Sequence, residues 1–459
     1  MKRFGWPWIV AVSVLVARSA RAETRPQYGG TLHVAIREAP ASIDPSPGTG
    51  NGPEADSFAG RSVLGLIFET LVTIDDRGRI HSGLAADWQA AAGNQRWQFR
   101  LRRGVKFHDG SALTAEVAAS SLRTANPSWK IFAEGDSVIV ERDTADPSLP
   151  AELGLLRNSI VKRNSGGKLS GTGPFHIEDW QAGKKLTVGA EENHWRGRPF
   201  VDRIEVEMGR NFHEQLVELE MGKADLVEVS PEQLHRVTME GRRVSGSQPM
   251  ELVALVFGSD AQTAEEKLLR GALAHSVERA SMRSVLLQGA GQEAATILPN
   301  WLSGYGFIFS NGANLREARR EREQVHSAPR WTVGYDANDS MARVLVERVA
   351  LNAKDAGLIL QPTTGNADLR LLRIPLASAD PWIALANVAR TLGIAMPKVS
   401  GTSVEDLYGA ERGLLAGERL IPLFHLPVDC ASSPGLRDFR PGADGSWRLA
   451  EVWLEKEKP

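Results

Sequence analysis

Hydrophobic and polar positions along this chain switch repeatedly between a two-residue and a 3.6-residue period. TLHVAI (Thr31–Ile36), bounded by Gly29-Gly30 and by Pro40, Pro45 and Pro47, predicts a short strand. A Gly/Pro-rich loop follows from Ser46 to Pro53. RWQFRLRR alternates as a strand does, KFHDG predicts a turn, and TAEVAASSLR predicts a helix with Thr114 as its N-cap. After SVIVER come FHIEDW, KKLTVGAE and DRIEVEM, strand after strand, with Ala182-Gly183 turning the first two into a hairpin.

One phrase occurs twice. FHEQLVELEMGKADLVEV predicts a helix ending near Gly222 and then a strand from Asp225. MARVLVERVALNAKDAGLILQP and TGNADLRLLRI repeat that grammar, with Met341, Val344, Leu345 and Val349 forming an apolar helical stripe. The recurrence is too long for a solenoid repeat. It predicts two α/β units of similar build, with ELVALVFGSD (Glu251–Asp260) as the connection between them. RLIPLFHLPV and SWRLAEVWLE have strand character and are expected to return to the first unit.

Composition narrows the class. The 459 residues suffice for two or three domains or two large lobes, and 54 basic against 56 acidic residues give no reason to expect nucleic acid as a partner. Cys430 stands alone and forms no internal disulfide. At the N-terminus, Lys2 and Arg3 precede an apolar run from Trp6 to Ala17 and then Ala20-Arg21-Ala22. These are the three regions of a secretory signal cleaved after Ala22, and the run is too short to span a bilayer. A soluble exported product is expected.

Catalytic signatures are absent from the sequence. HEQLV at His213 has Val217 where a zinc-protease helix needs its second histidine. There is no nucleophile elbow and no phosphate loop. Asp75-Asp76 and Glu191-Glu192 read as a turn and a strand end rather than a carboxylate pair. No catalytic residue, metal site or cofactor is expected.

GTGPF, Trp180, Gly183, Asn193, Trp195, Gly197-Arg198-Pro199 and Val201-Asp202 resemble the signature of the extracellular solute-binding proteins of family 5, the peptide and nickel receptors of bacterial ABC importers. YGGTLHVAI with Asp44-Pro45, LRRGVKFHDGSALTAEVAASSLR, MGKADL and LLRGALAHSVERASM match further family segments in the same order, with Glu278-Arg279 in place of the usual Asp-Arg. The resemblance implies an α/β, two-lobed periplasmic-binding-protein clamp of type II, similar to cluster C, with the ligand between lobes. It implies a signal peptide over 1–22, a first lobe over 23–256 rejoined by about 431–459, and a second lobe over 257–430.

Where the family carries roughly G-W-x-x-D-x-x-D-P, this chain has RIPLASADP. Asp380-Pro381 remains, but Ile374 replaces the tryptophan and Ala377 the acid that pairs with a peptide's ammonium. A buried ammonium without a partner costs several kcal/mol, so a free peptide amine is a poor ligand unless another acid substitutes. NPSWKIFAEGD also stands where relatives carry a longer subdomain segment, so the first lobe's extra subdomain is reduced. Expected ligand contacts are Arg373 as a carboxylate fork, Trp382 and Trp301 as stacking surfaces, and Asp380, whose alternative role is a cap. The resemblance implies a monomeric periplasmic receptor that passes a small or peptide-like solute to the transmembrane permease subunits of an ABC importer. A sensory or regulatory protein on the same scaffold is the alternative, and a hydrolase lacks its nucleophile.

Overall fold

The computed structural model describes residues 25–46, 54–164, 166–327, 330–397 and 401–455. The expected signal peptide lies outside them. Two sheets organise the chain. The first runs, in spatial order, Phe175–Gln181, Lys185–Ala190, Arg203–Glu207, Thr31–Ala35, Leu226–Val229, Asp429–Ser432 and Arg243–Gly246. Thr31–Ala35 buries Leu32 and Val34 and pairs in parallel with strands on both sides. The predicted hairpin forms, and Gly183 turns it at positive φ, where a glycine carries no steric penalty.

The second sheet has the order Gln292–Glu293, Leu420–Leu426, Glu251–Phe257, Leu369–Pro375, Arg330–Gly334 and Ile359–Thr363. All seven residues of Leu420–Leu426 are buried, as a strand covered on both faces requires. Both copies of the repeated phrase fold as helix, glycine, strand. Helices Phe212–Glu220 and Ser340–Asp355 are followed by Gly222 and Gly357, each at positive φ, the conformation that terminates a helix.

Glu251–Phe257 is not the connection expected from sequence. Its apolar run is a strand near the middle of the second sheet, bonded on both edges. The crossing falls earlier, between Gly246 and Glu251, and the return crossing lies between Leu426 and Asp429. The two crossings are bonded together. Ser247 N donates to Val428 O at 3.1 Å, Val428 N to Ser247 Oγ at 3.0 Å, and Met250 N to Leu426 O at 3.0 Å. RLIPLFHLPV accordingly belongs to the second sheet. SWRLAEVWLE returns to the first lobe mostly as irregular chain, with a two-residue strand at Trp453–Leu454 and buried Trp447, Leu449 and Trp453.

A separate four-stranded antiparallel sheet extends the first lobe, in the order Ala85–Ala90, Arg96–Leu101, Ser137–Glu141, Lys130–Glu134. Helix Ala115–Ala125 covers it, and Thr114 caps that helix by accepting from Val117 N. The segment NPSWKIFAEGD, read as a shortened link, supplies the edge strand Lys130–Glu134 and its turn at Gly135.

Candidate functional site: the seam between the lobes

The two lobes meet along a seam built from three kinds of contact. Ala151 and Leu155 of the first lobe pack on Ala377 and Ile383 of the second. Beside them the tip of the Val72–Ser82 hairpin brings Gly78 so close to Ala379 that a Cβ there would lie 2.6 Å from the Ala379 carbonyl oxygen. Only glycine fits this approach.

The third contact is ionic. Asp56, 2% exposed, sits in a short 3₁₀ turn of the first lobe. Its Oδ2 accepts from Arg157 of the same lobe and from Arg390 of the second lobe, the latter at 2.8 Å. Arg157 also donates to Glu152 Oε1 at 2.6 Å, and Arg390 to the buried Asn387 Oδ1. Burial opposes the Arg157 charge, but Asp56 and Glu152 outweigh it and hold the guanidinium above its ordinary pKa. At Arg390, burial and the neighbouring Arg157 charge prevail over Asp56, and its pKa is lowered. The other carboxylate oxygen of Asp56 is buried and finds no hydrogen-bond partner among the described residues.

Asp56 lines a chamber of about 460 Å³, with Arg61, Thr73, Leu155 and Arg448 among its first-lobe walls and Ala377 as a wall from the second lobe. An adjoining cavity of about 480 Å³ shares Thr70, Leu156 and Arg196 with it and reaches the segment from His194 to Phe200. Ala377 is buried and has φ 66°, a left-handed conformation unusual for alanine. Its methyl group therefore stands at the chamber where family relatives are expected to hold an acid.

None of the four residues expected as ligand contacts lines this chamber. Arg373 donates from Nε to Glu251 Oε2 at 2.8 Å and from NH1 to Asp339 Oδ2 at 3.2 Å. Burial opposes its charge, but the two carboxylates outweigh it and raise its pKa, so its fork is already occupied. Asp380 caps helix Pro381–Thr391, accepting from Trp382 N and Ile383 N at 3.0 Å each. Trp301 donates its indole N–H to Pro249 O at 3.2 Å, bracing the crossing, and Trp382 donates to Thr402 O at 3.2 Å. Both tryptophans border one apolar cluster of the second lobe.

Sequence reasoning missed Asp56, Arg157 and Arg390. One signal was present: Asn387 and Arg390 lie three residues apart on the mostly apolar PWIALANVART, whose Ile383, Ala384, Leu385, Val388 and Ala389 are buried. His213 lies on helix Phe212–Glu220, capped by a reciprocal Asn211–Glu214 pair. Among the described residues, no group of three or more His, Cys, Asp or Glu side chains could hold a metal ion, and no helix is long and apolar enough to cross a membrane.

Two sheet-based lobes, joined by a bonded pair of crossings with an open chamber at their seam, define a binding-protein clamp. Residues 79–372 match the family model of the bacterial extracellular solute-binding proteins, family 5 middle region, and the chain belongs to that family. It is 24% identical over 243 residues to the nickel-binding protein NikA of Staphylococcus aureus, covering 50% of this chain and 49% of that one. It is 21% identical over 372 residues to the oligopeptide-binding protein OppA of Bacillus subtilis, covering 68% and 67%. The chain thus spans about half the length of the first relative and about two thirds of the second. In fold it is similar to the periplasmic binding protein DppA of Helicobacter pylori solved with the peptide STSA. That match has TM-score 0.79 and 16% identity, covering 94% of this chain and 99% of that one.

Proposed function

We propose that this protein is the solute-binding component of an ABC importer, which captures a small solute between its lobes in the periplasm and delivers it to the permease. The observation that carries this reading is the chamber at the seam, lined by the first lobe and by Ala377 of the second, beside an ion cluster centred on buried Asp56 that spans the two lobes. Bonded crossings at Ser247–Met250 and Pro427–Val428 supply the axis about which such lobes close. The family membership and the relatives' names, a nickel-binding and an oligopeptide-binding protein, support the same reading. Binding and release suffice for it; no catalytic step is required, and we read the chain as a receptor rather than an enzyme.

Native mass spectrometry of protein purified from its source tests this directly. A co-purified small molecule, taken up by cells with the gene and not by cells lacking it, is the expected result. Uptake that is unchanged by the deletion would favour a sensory role for the same clamp. N-terminal sequencing of the exported protein is expected to begin at Glu23; a retained Met1 would refute export by cleavage.

A further inference from the structure

We propose that Asp56 couples occupancy of the chamber to closure of the lobes, and that the solute meets it with an uncharged N–H or O–H donor. The proposal rests on the receptor reading above. Asp56 is a two-sided group. One oxygen is held by Arg157 from its own lobe and by Arg390 from the opposite lobe. The other is buried, without a hydrogen-bond partner among the described residues, on a residue that lines the chamber. Buried acceptors in folded proteins are nearly always satisfied, so an occupant of this chamber that donates to Oδ1 is favoured over one that does not.

The surrounding charges select the donor. Two guanidinium groups already face this carboxylate and Glu152 adds a second negative charge; a third guanidinium, Arg61, donates to the Asp56 carbonyl and pairs with Asp444 on the chamber wall. An ammonium placed on Oδ1 would be a further cation beside Arg157 and Arg390. A carboxylate would set its lone pairs against those of Asp56. An amide or hydroxyl satisfies the acceptor without either conflict.

The coupling follows from the shape of a carboxylate. A donor on Oδ1 fixes the plane of the group, and that plane aims Oδ2 across the seam at Arg390. Ala377 lines the chamber from the second lobe, so an occupant that reaches it contacts both lobes at once. When the lobes part, Asp56 keeps Arg157 and loses Arg390.

The experiment uses the full exported chain with spin labels at Met221→Cys and Val285→Cys, exposed positions in the first and second lobes. Interlobe distances are measured with propionamide, propylamine or propionate at matched concentrations. Propionamide should shorten the distance most in the wild type, and Asp56→Asn should weaken its half-saturation about tenfold. Arg390→Gln, at a partly exposed position, should still bind propionamide by ligand-observed NMR, more weakly than the wild type, while losing the distance change. A merely structural Asp56 would lower melting without separating binding from closure. Propylamine acting more strongly than propionamide, or Asp56→Asn responding as the wild type does, overturns the proposal. If a co-purified solute is retained by Asp56→Asn with unchanged closure, the coupling fails while the receptor reading stands.

Discussion

Arg373, half-buried, and Arg157, buried, are both held by two carboxylates, Arg373 by Glu251 and Asp339, Arg157 by Asp56 and Glu152. They differ in what their partners belong to. Both carboxylates that bond Arg373 belong to the second lobe, so its own pairing holds wherever the lobes stand, although the Arg37 charge of the first lobe also acts on Asp339. Arg157 shares Asp56 with Arg390, which comes from across the seam and is 37% exposed. Removing Arg390 from Asp56 returns a half-wet cation to water and leaves the Asp56–Arg157 pair intact. The same chemistry thus fastens a lobe permanently in one place and joins two lobes reversibly in the other.

The most severe way to break this comparison is Arg373→Ala. It leaves Asp339 buried and Glu251 half-buried without their cation, and we expect a loss of about 3 kcal/mol in denaturant unfolding. A loss under 1 kcal/mol would show that the triad is solvated and no different from the seam.

Asp429 offers a buried acid with no arginine at all. It opens the strand after the return crossing, and burial raises its pKa from 3.8 to about 6. Between those values the native state binds more protons than the unfolded one, so this group makes stability fall as pH rises from about 4 through 6. Asp429→Asn should therefore stabilise the fold by on the order of 3 kcal/mol above pH 6.5, and by little below pH 4. Melting temperatures of both proteins across that range check it; a pH-independent difference would contradict the sign.

Next in size is an effect expected to be missing. A ligand at a hundred times its Kd stabilises a protein by about 2.7 kcal/mol. Unmodified di- to pentapeptides at millimolar concentration should give no such melting shift, because Ala377 offers no acid and Asp56 is already engaged by two cations. A shift that N-acetylation of the peptide abolishes would show that an acid at the seam does hold an amine.

Smallest is Arg390→Ala. An ion pair with one partly exposed partner is worth about 1 kcal/mol or less, so global unfolding should barely change. A loss as large as that of Arg373→Ala would erase the distinction between the two clusters.

Much of the fold was legible because it is written locally. Thr114 caps where it should, Gly183 turns its hairpin, and Gly222 and Gly357 end the two repeated helices. The crossing was misplaced because an apolar run such as ELVALVF marks a strand buried on both faces, whereas the true crossing is the polar segment beside Pro249. The seam was harder to read. Asp56 meets partners 101 and 334 residues away; it and Arg157 sit in short 3₁₀ turns with no periodicity to announce them, and only Arg390 lies on a regular helix. Arg373 misled for the opposite reason: a lone arginine near a strand end suggests a ligand fork, and only the fold reveals the two carboxylates that fill it.

The strand Asp429–Ser432 and the buried Trp447 and Trp453 complete a lobe whose first strand is Thr31–Ala35. During synthesis, the whole second lobe leaves the ribosome before these closing pieces exist. The second lobe can therefore fold as a unit while the first still lacks an inner strand and part of its core. If the chain is exported as proposed, this order of assembly prolongs the interval in which its leading half remains unfolded and able to pass through a membrane.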